Sequence, residues 1–387
     1  MKFELIATDG AARAGRLTTG NGGVVETPIF MPVGTHAAVK ALAPDDLRAA
    51  GAQIVLANTY HLFLRPGHDL VRELGGLHRF MGWDRAILTD SGGFQVWSLS
   101  KLRKITDAGV EFRSPIDGSP HFLSPEIAVE VQQALGADII HPLDECLAYP
   151  VSRFDAERSL ALTLRWAARS KAAQNAGARA TSQAMFGIVQ GGADADLRRQ
   201  AARATVDLGF DGYAIGGMAV GEPKPAMYEL TELVASLLPP GQPRYLMGVG
   251  KPDDLVQSVA RGVDMFDCVL PTRNARNGQA FTADGPVTLK QARYIRDGAP
   301  LDAACDCYAC RGFSRAYLRH LFMAGELLAY RLLTLHNVTF FLRLAREMRA
   351  AIVAGAFGPF QARFFSRYPV AAAPEEPGDT ARLSAAD

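Results

Sequence analysis

Short apolar runs alternate with stretches of helical apolar spacing along most of the 387-residue chain. Eight runs have the length and composition of buried strands, at 28–33, 54–57, 86–89, 138–141, 185–189, 213–215, 244–247 and 265–268. Helices are predicted between several of them, at 155–174, 194–208, 223–238 and 252–261, and Ser124-Pro125-Glu126 begins another. Eight such repeats predict an α/β fold, a (β/α)8 TIM barrel. A doubly wound open sheet is the alternative, but no Gly-x-Gly-x-x-Gly turn follows the first run.

The segments outside the repeats predict further features. Residues 1–26 contain turn sequences at Asp9-Gly10 and Gly20-Asn21-Gly22-Gly23, which predict short antiparallel strands that cap the barrel. The barrel domain spans 27–365, and it includes a hairpin at 279–282 and 286–290 and a subdomain at about 290–345. Residues 366–387 are rich in Ala, Pro and Glu, which predicts a disordered tail.

The charge of the chain is nearly balanced, at a formal +1, so no global field attracts nucleic acid. A local excess exists between Leu270 and His320, where eight Lys or Arg face four Asp. No apolar run approaches the ~20 residues that a membrane span needs, and the first residues lack the apolar core of a signal peptide. We therefore expect a cytoplasmic protein without membrane contact.

Polar side chains and glycines collect where the predicted strands end, which is where barrel enzymes carry their active sites. The segments are Asp90-Ser91-Gly92-Gly93-Phe94-Gln95, Asp144-Glu145-Cys146, Gln190-Gly191-Gly192, Gly216-Gly217-Met218, Met247-Gly248-Val249-Gly250 and Asp267. Asp90 and Asp267 are a candidate pair for glycosidic chemistry, in which one carboxylate attacks an anomeric carbon and the other moves a proton. Cys146 and Cys268 are rival nucleophiles, but nothing near them in the sequence marks either thiol as activated.

The same segments suggest a planar ligand. Asp144 can accept hydrogen bonds from the N1–H and N2–H2 edge of guanine, while Gln190 and the backbone of Gly216-Gly217 can contact the other edge. The glycines before Phe94 let a planar ligand approach the backbone, and the Phe94 ring can stack on it. The alternative for each motif alone is an ordinary turn with a capping side chain.

Residues 263–276 combine a predicted strand, an acid and a cationic segment. Pro271 is expected to end the strand, and a loop follows that bears Arg273 and Arg276 but no acid. A carboxylate beside cations suits a substrate with a phosphate backbone, because Asp267 can act as a catalytic group while the arginines bind phosphates or bases. The alternative is a strand-capping Asp and a solvated loop.

Cys305, Cys307 and Cys310 form a Cys-x-Cys-x-x-Cys cluster, and His336 lies twenty-six residues after Cys310, with twenty-five residues between them. Three thiolates and one imidazole supply the four ligands of a closed, structural zinc site. The alternative is three cysteines packed as small apolar side chains beside a core histidine.

The chain resembles the tRNA-guanine transglycosylases, and closely the bacterial queuine/preQ1 type. The matching segments run in order from about residue 3 to 365. Beyond the strand-end motifs and the Cys3His cluster, they include Tyr149-Pro150, Ala219-Val220-Gly221-Glu222, Tyr245-Leu246-Met247-Gly248-Val249-Gly250, Phe266-Asp267-Cys268 and Pro271-Thr272-Arg273-Asn274-Ala275-Arg276-Asn277-Gly278. The resemblance implies a (β/α)8 barrel with a zinc-binding insertion near its C-terminus, and a homodimer.

The resemblance also implies a reaction. The wobble guanine of tRNAs with a G-U-N anticodon (the Asp, Asn, His and Tyr types) is exchanged for the 7-deazaguanine preQ1, in queuosine biosynthesis. The exchange is a retaining double displacement through a covalent Asp–tRNA intermediate, with Asp267 as nucleophile and Asp90 as general acid/base. Val220 and Cys146 favour preQ1 over the bulkier queuine.

The resemblance assigns the other site residues as follows. Base-binding residues are Ser91, Gly92, Gly93, Phe94, Asp144, Gln190, Gly217, Met218 and Met247. RNA-binding residues are Gly248, Val249, Gly250, Lys251, Pro252, Asp253, Asp254, Thr272, Arg273, Asn274, Ala275 and Arg276. One structural zinc ion is held by Cys305, Cys307, Cys310 and His336. Two other functions stay open at this point: a non-catalytic RNA-binding partner, which loss of either aspartate would mark, and a zinc-dependent hydrolase, which needs an open metal position.

Overall fold

A computed structural model describes residues 1–99, 103–177, 179 and 182–369, so most of the predicted tail lies outside the described residues. The strands are β1 (Lys2–Asp9), β2 (Ala12–Thr18), β3 (Val24–Thr27), β4 (Ile29–Gly34), β5 (Ile54–Ala57), β6 (Ala86–Thr89), β7 (Arg103–Ile105), β8 (Val110–Arg113), β9 (Pro120–Leu123), β10 (Ile139–Ile140), β11 (Ala184–Val189), β12 (Gly212–Ile215), β13 (Arg244–Leu246), β14 (Met265–Cys268), β15 (Gln279–Thr282) and β16 (Gly285–Thr288). The helices are α1 (Pro44–Ala50), α2 (Thr59–Leu64), α3 (His68–Glu73), α4 (Gly76–Met81), α5 (Gly93–Leu99), α6 (Pro125–Leu135), α7 (Arg153–Ala176), α8 (Ala195–Asp207), α9 (Lys224–Leu237), α10 (Pro252–Val259), α11 (Leu270–Arg276), α12 (Tyr308–Gly312), α13 (Arg315–Met323), α14 (Leu327–Val353) and α15 (Phe357–Arg367).

The eight predicted apolar runs form a closed barrel of parallel strands. In spatial order the strands are β4, β5, β6, β10, β11, β12, β13 and β14, and β14 closes the ring by pairing with β4. The strands Ile54–Ala57 and Ala86–Thr89 are buried along their whole length. Such burial is expected where side chains fill the barrel on one face of each strand and helices cover the other. The predicted (β/α)8 TIM barrel is confirmed.

The predicted helices are also present, within a few residues of their expected limits, as α6 to α10. At the start of α6, the Ser124 hydroxyl accepts a hydrogen bond from the Ile127 amide at 3.2 Å. Pro125 occupies the first turn, where its missing N–H leaves no helical hydrogen bond unmade. None of the helices in the described ranges is long and apolar enough to cross a membrane.

The N-terminal residues form a three-stranded antiparallel sheet, β1-β2-β3, as predicted. Arg13 on β2 connects this sheet to the N-terminal end of the barrel. Its Nε donates to Asp264 Oδ1 at 3.2 Å, and its Nη2 donates to the Gln242 carbonyl at 3.0 Å. Both members of the Arg13–Asp264 pair are almost fully buried, so the sheet is fixed to the barrel by a buried ion pair.

The segment after Asp267 corrects one prediction. Leu270–Arg276 is a helix, α11, where the sequence predicted a loop, and Pro271 lies in its first turn. Proline is compatible with that position, so here it begins a helix instead of simply ending a strand. The small antiparallel sheet β7-β8-β9, inserted between β6 and α6, was not predicted.

The C-terminal helices pack around the barrel and the cysteine cluster. The long helix α14 contacts α11, β15 and β4, and it carries His336 in its buried face. A separate buried cluster contains the three cysteines of the predicted metal site together with Leu289, Leu301 and Leu318. The limits of this subdomain stay a prediction. Helix α15 continues to Arg367 and Tyr368 is buried, beyond the predicted start of the tail, while 370–387 lie outside the described residues.

Candidate active site

Asp267 lies at the C-terminal end of the barrel, on β14. The Tyr245 hydroxyl donates to Asp267 Oδ1 at 2.6 Å, and the Gly248 amide donates to the same oxygen at 2.8 Å. Burial raises the pKa of Asp267, while these two donors oppose the rise because they favour the charged carboxylate. Both donors therefore bind Oδ1. Within the described ranges no residue donates to Oδ2, which leaves this second oxygen available to a ligand.

Asp90 follows β6 and is held by the segment that follows β5. Asn58 Nδ2 donates to Asp90 Oδ2 at 2.5 Å, and the Thr59 amide donates to Oδ1 at 2.8 Å. Burial nevertheless raises the pKa of Asp90 to about 6, and the charge of Asp267 adds to the rise. A carboxyl group with this pKa can release and regain a proton near neutral pH, as a general acid/base must.

The fold therefore brings the two predicted catalytic carboxylates together at one end of the barrel. The charge of Asp267 acts on Asp90, and the pKa of Tyr245 is raised by burial and by the charges of both aspartates. Since the charge of Asp267 raises the pKa of Asp90, a charged Asp267 favours the protonated form of Asp90, that is, one carboxylate beside one carboxylic acid. A reaction that uses one carboxylate as nucleophile and another carboxyl group as acid requires such a difference between their environments.

Asp144 faces the same region and is fixed by two side chains. Ser91 Oγ donates to Asp144 Oδ1 at 2.8 Å, and Gln190 Nε2 donates to Oδ2 at 2.7 Å. All three side chains are buried, and burial raises the pKa of Asp144. A carboxylate has about four acceptor positions, so these two bonds orient it and leave further positions for the donors of a ligand.

The glycines after Ser91 are required by close contacts. A Cβ at Gly93 would lie 2.5 Å from the Asp144 carbonyl oxygen, and Gly92 has a left-handed φ of +83°. Helix α5 begins at Gly93, so the predicted loop is the start of a helix. Phe94 is 42% exposed, with its ring centroid 5.5 Å from that of Trp97. Stacking of Phe94 on a base stays a prediction.

The opposite wall of this region is formed by the segment after β12. A Cβ at Gly217 would lie 2.3 Å from Gln190 Oε1, so only glycine fits there. Met218 is buried, and Met247 is partly exposed next to the Gly248 amide that binds Asp267. Gly217 thus lies against Gln190, which binds Asp144, while the contacts of the predicted base-binding residues with a base stay predictions.

The residues predicted to contact RNA differ in exposure. Gly248, Lys251, Arg273, Asn274 and Arg276 are exposed or partly exposed, whereas Val249, Gly250, Pro252, Asp253, Asp254, Thr272 and Ala275 are buried. Asp253 and Asp254 both pair with Lys224 Nζ, and the Tyr228 hydroxyl donates to Asp254 at 2.5 Å. Lys224 offsets part of the negative charge of these two acids at the start of α10, and the positive charge of the segments predicted to contact RNA comes from Lys251, Arg273 and Arg276.

Of the rival nucleophiles, Cys146 is buried and Cys268 is partly buried. Burial raises the pKa of both Cys146 and Cys268 to about 12. Since the thiolate is the reactive form of cysteine, neither thiol is activated near neutral pH. Asp267 therefore stays the predicted nucleophile.

The Cys3His residues come together as one buried cluster. One ligand atom from each of Cys305, Cys307, Cys310 and His336 lies within 4.8 Å of all the others. His336 Nε2 is 2.7 Å from the Phe281 carbonyl, so this nitrogen donates its proton there and Nδ1 faces the sulfurs, 3.2 Å from Cys310 Sγ. Ligands about 2.0–2.3 Å from a shared tetrahedral zinc ion require spacings of this order. The cluster can hold a metal ion, and the donor set is consistent with zinc.

Four residues that support the site were not predicted as site residues. Asn58 and Thr59 directly follow the strand Ile54–Ala57, so the strand-end pattern contained a signal for them. Tyr245 lies within a barrel strand, and Arg198 lies within α8, where it is fully buried. Nothing in their local sequence marks these two, because only the fold brings them to the site.

Comparisons with known proteins agree with this geometry. The model of the queuine tRNA-ribosyltransferase family matches residues 9–370. A queuine tRNA-ribosyltransferase of Symbiobacterium thermophilum is 58% identical over 370 residues, which cover 95% of this chain and 92% of that protein. Proteins of the same name from Thermoanaerobacter pseudethanolicus and Acinetobacter baylyi are 54% and 53% identical, and the matches cover 95% of this chain in both cases and 98% and 95% of those proteins. With its barrel, its paired carboxylates and its Cys3His cluster, the chain belongs to the queuine tRNA-ribosyltransferase family.

Proposed function

We propose that this enzyme, a tRNA-modifying pentosyltransferase by its family, exchanges the wobble guanine of G-U-N tRNAs for preQ1. The observation that carries the proposal is the pair of buried carboxylates at the C-terminal end of the barrel, with Asp144 fixed beside them. One of the pair binds two donors through a single oxygen, and the other has a pKa of about 6. This combination supports covalent glycosidic exchange.

The exchange consists of two displacements at one carbon. The target guanine first leaves the base stack and enters the space between Asp144 and Gly217. Asp267 Oδ2 then attacks C1′ of the ribose as the C1′–N9 bond breaks, and Asp90 gives its proton to the departing base. In the second step Asp90 takes the N9 proton of the incoming base, whose nitrogen attacks C1′ and displaces Asp267. Two inversions give net retention.

Recognition of the base follows from the fixed polar groups. Asp144 accepts from the N1–H and the exocyclic amine of a guanine-like base, and Ser91 and Gln190 hold the carboxylate in place. Phe94 and Met247 lie at the edges of the site and cover the faces of the base. Gly248–Asp254 contact the tRNA, and Thr272–Arg276 recognise the anticodon around the flipped guanine. Lys251, Arg273 and Arg276 supply positive charge for these contacts.

The metal cluster has a structural role in this proposal. Cys305, Cys307, Cys310 and His336 would supply four ligands to one zinc ion, which would leave no position for water or substrate. This argues against a zinc-dependent hydrolase, and the presence of both Asp90 and Asp267 argues against a non-catalytic RNA-binding partner. The Asp, Asn, His and Tyr tRNAs as substrates, a homodimer and a cytoplasmic location follow from the resemblance and belong to the proposal.

The test is incorporation of labelled guanine into a G-U-N tRNA and into a control tRNA that lacks the wobble guanine. We expect label in the first tRNA only, and an excess of unlabelled preQ1 should compete with the labelled guanine for incorporation. Incorporation into both tRNAs would contradict the anticodon specificity. Incorporation into neither would contradict base exchange and favour a non-catalytic RNA-binding role.

A further inference from the structure

Asn337 is a fully buried amide side chain on α14 that neither the exchange nor the cysteine cluster uses. It makes three hydrogen bonds, all of them to backbone groups. Its Nδ2 donates to the Pro271 carbonyl at 2.9 Å and to the Gln279 carbonyl at 3.0 Å, and its Oδ1 accepts from the Phe281 amide at 2.9 Å. Both hydrogens of the amide group are thus used. The side chain joins α14 to the first turn of α11 and to β15.

The bonds to β15 go to backbone groups that its partner strand leaves unpaired. β15 pairs with β16 in antiparallel register, with Phe281 opposite Pro286. Proline has no N–H, so Pro286 cannot donate to the Phe281 carbonyl. That carbonyl accepts from His336 Nε2 at 2.7 Å, while the Phe281 amide donates to Asn337. Two successive side chains of α14 therefore fix the free edge of β15, whose groups would otherwise lack partners.

A second link joins the later part of α11 to the same strand. Asn274 Nδ2 donates to Gln279 Oε1 at 2.6 Å, and the Gln279 side chain is partly exposed. Helix α11 has only seven residues, and isolated helices shorter than ~12 residues are marginal in water. Its position therefore depends on tertiary contacts. Asn337 supplies one at the first turn, and Gln279 supplies another at the second.

Helix α11 bears two of the cations that are predicted to contact RNA, Arg273 and Arg276, and both are partly exposed. The predicted nucleophile is held by other contacts, because the donors to Asp267 come from β13 and the segment that follows it. Among the residues that the structure describes, neither Asn337 nor Gln279 forms a hydrogen bond with Asp267. The position of the cations and the position of the nucleophile therefore depend on different side chains.

We propose that Asn337 and Gln279 are positioning residues that hold α11 so that its arginines reach the RNA, and that they act on tRNA binding without acting on base binding. This inference rests on the proposed function, because it concerns how the same enzyme binds its tRNA. A side chain that only stabilised the fold would not separate the two substrates. Positioning of α11 predicts a loss of affinity for the tRNA alone, together with a weaker dependence of tRNA binding on salt.

The experiment compares Asn337→Ala and Gln279→Ala with the wild type and with Thr334→Val. Thr334 is a matched control, since it is a buried polar residue of α14 whose hydroxyl has no hydrogen-bond partner in the described part of the chain. Affinity for a G-U-N tRNA is measured in a filter assay from about 0.05 to about 0.5 M salt. Affinity for guanine is measured by calorimetry without tRNA. Exchange kinetics give kcat and the two KM values, and the zinc content of each variant is measured.

We expect each alanine variant to bind the tRNA about five- to eightfold more weakly near ~0.1 M salt, which is the effect of losing about one phosphate contact. The slope of log K against log salt should become shallower by about 0.7–0.9 for the same reason. Affinity for guanine and kcat should change less than about twofold. Zinc content should stay at the wild-type level, and Thr334→Val should resemble the wild type in every measurement.

Unchanged tRNA affinity in either folded alanine variant would overturn the proposal, and so would an equal loss of affinity for guanine. Weaker tRNA binding that occurs only together with loss of zinc would overturn it as well. If Asn337→Ala does not fold, Gln279→Ala still tests the proposal, because Gln279 is partly exposed and its side chain can be removed without opening the core.

The binding assays need no catalysis, so the two proposals can fail separately. If the wild type binds the tRNA but does not exchange guanine, the proposed function is contradicted, while weaker binding by the variants still supports the positioning role. If the wild type exchanges guanine and both variants bind the tRNA normally, the function stands and the positioning role is refuted. No binding of the tRNA by the wild type would overturn both.

Discussion

The hydrogen bond from Tyr245 to Asp267 allows a quantitative prediction for the Tyr245→Phe variant. The substitution removes the hydroxyl that donates to Asp267 Oδ1 at 2.6 Å and keeps the ring, whose centroid is 5.7 Å from that of His141. The Gly248 amide remains as the second donor to the same oxygen. The variant therefore changes the charge environment of Asp267 with little change in packing.

The size of the effect follows from the loss of one donor to a buried carboxylate. A hydrogen bond to a charged group contributes about 1.5–3 kcal/mol, and about 1.4 kcal/mol corresponds to one pKa unit. The donor stabilises the ionised form, so its loss raises the pKa of Asp267. Since the Gly248 amide compensates in part, we expect a rise of about one unit, at the lower end of this range.

The measurement is the pH dependence of kcat/KM for guanine exchange into a G-U-N tRNA, over about pH 5 to 8. Asp267 attacks as the carboxylate, so activity is lost as pH falls through its pKa. A higher pKa therefore shifts the acid limb of the profile by about one unit to higher pH. Well below both the wild-type and the shifted pKa, kcat/KM should be about tenfold lower than in the wild type at the same pH.

A matched control is available on the neighbouring strand. Tyr213 is also buried, but its hydroxyl lies 3.5 Å from the Val206 carbonyl and does not contact either aspartate. Tyr213→Phe should leave the acid limb where it is in the wild type. If the acid limb of Tyr245→Phe also stays there, the reasoning about Asp267 is refuted. A uniform loss of activity at every pH would indicate a packing effect and would refute it equally.

Three further predictions concern the nucleophile, the base and the metal. Asp267→Asn should keep tRNA binding in a filter assay but lose exchange by at least about 10³-fold and form no enzyme–tRNA band on a denaturing gel. Exchange near the wild-type rate would overturn the nucleophile assignment. Asp144→Asn should raise KM for guanine by about 10- to 100-fold, and an unchanged KM would remove Asp144 from the base site. His336→Ala should lower both the zinc content and the melting temperature, because metal binding is coupled to folding. Full zinc content in that variant would show that His336 is not a ligand.

Hydrophobic pattern and spacing predicted the barrel and the cysteine cluster well, because both depend on local sequence. A buried strand such as Ile54–Ala57 is apolar throughout, and the cysteine spacing is one that lets the thiolates share a metal ion. Helix α11 was predicted as a loop because Pro271 is compatible with both a strand end and a helix start. Tyr245 and Arg198 could not be predicted, since their contacts join segments far apart in the chain.

The distribution of donors explains how two residues of one type can have different roles in the same site. Burial raises the pKa of both Asp90 and Asp267, so burial alone cannot separate them. The donors to Asp90 bind both of its oxygens, through Asn58 and Thr59, and its pKa still reaches about 6 because the charge of Asp267 adds to the effect of burial. The donors to Asp267 bind one oxygen and leave the other for attack. The charge on Asp267 thus favours the protonated form of Asp90, so the nucleophile and the acid form a coupled pair. Replacing Asp267 by Asn should therefore lower the pKa of Asp90 as well as remove the nucleophile.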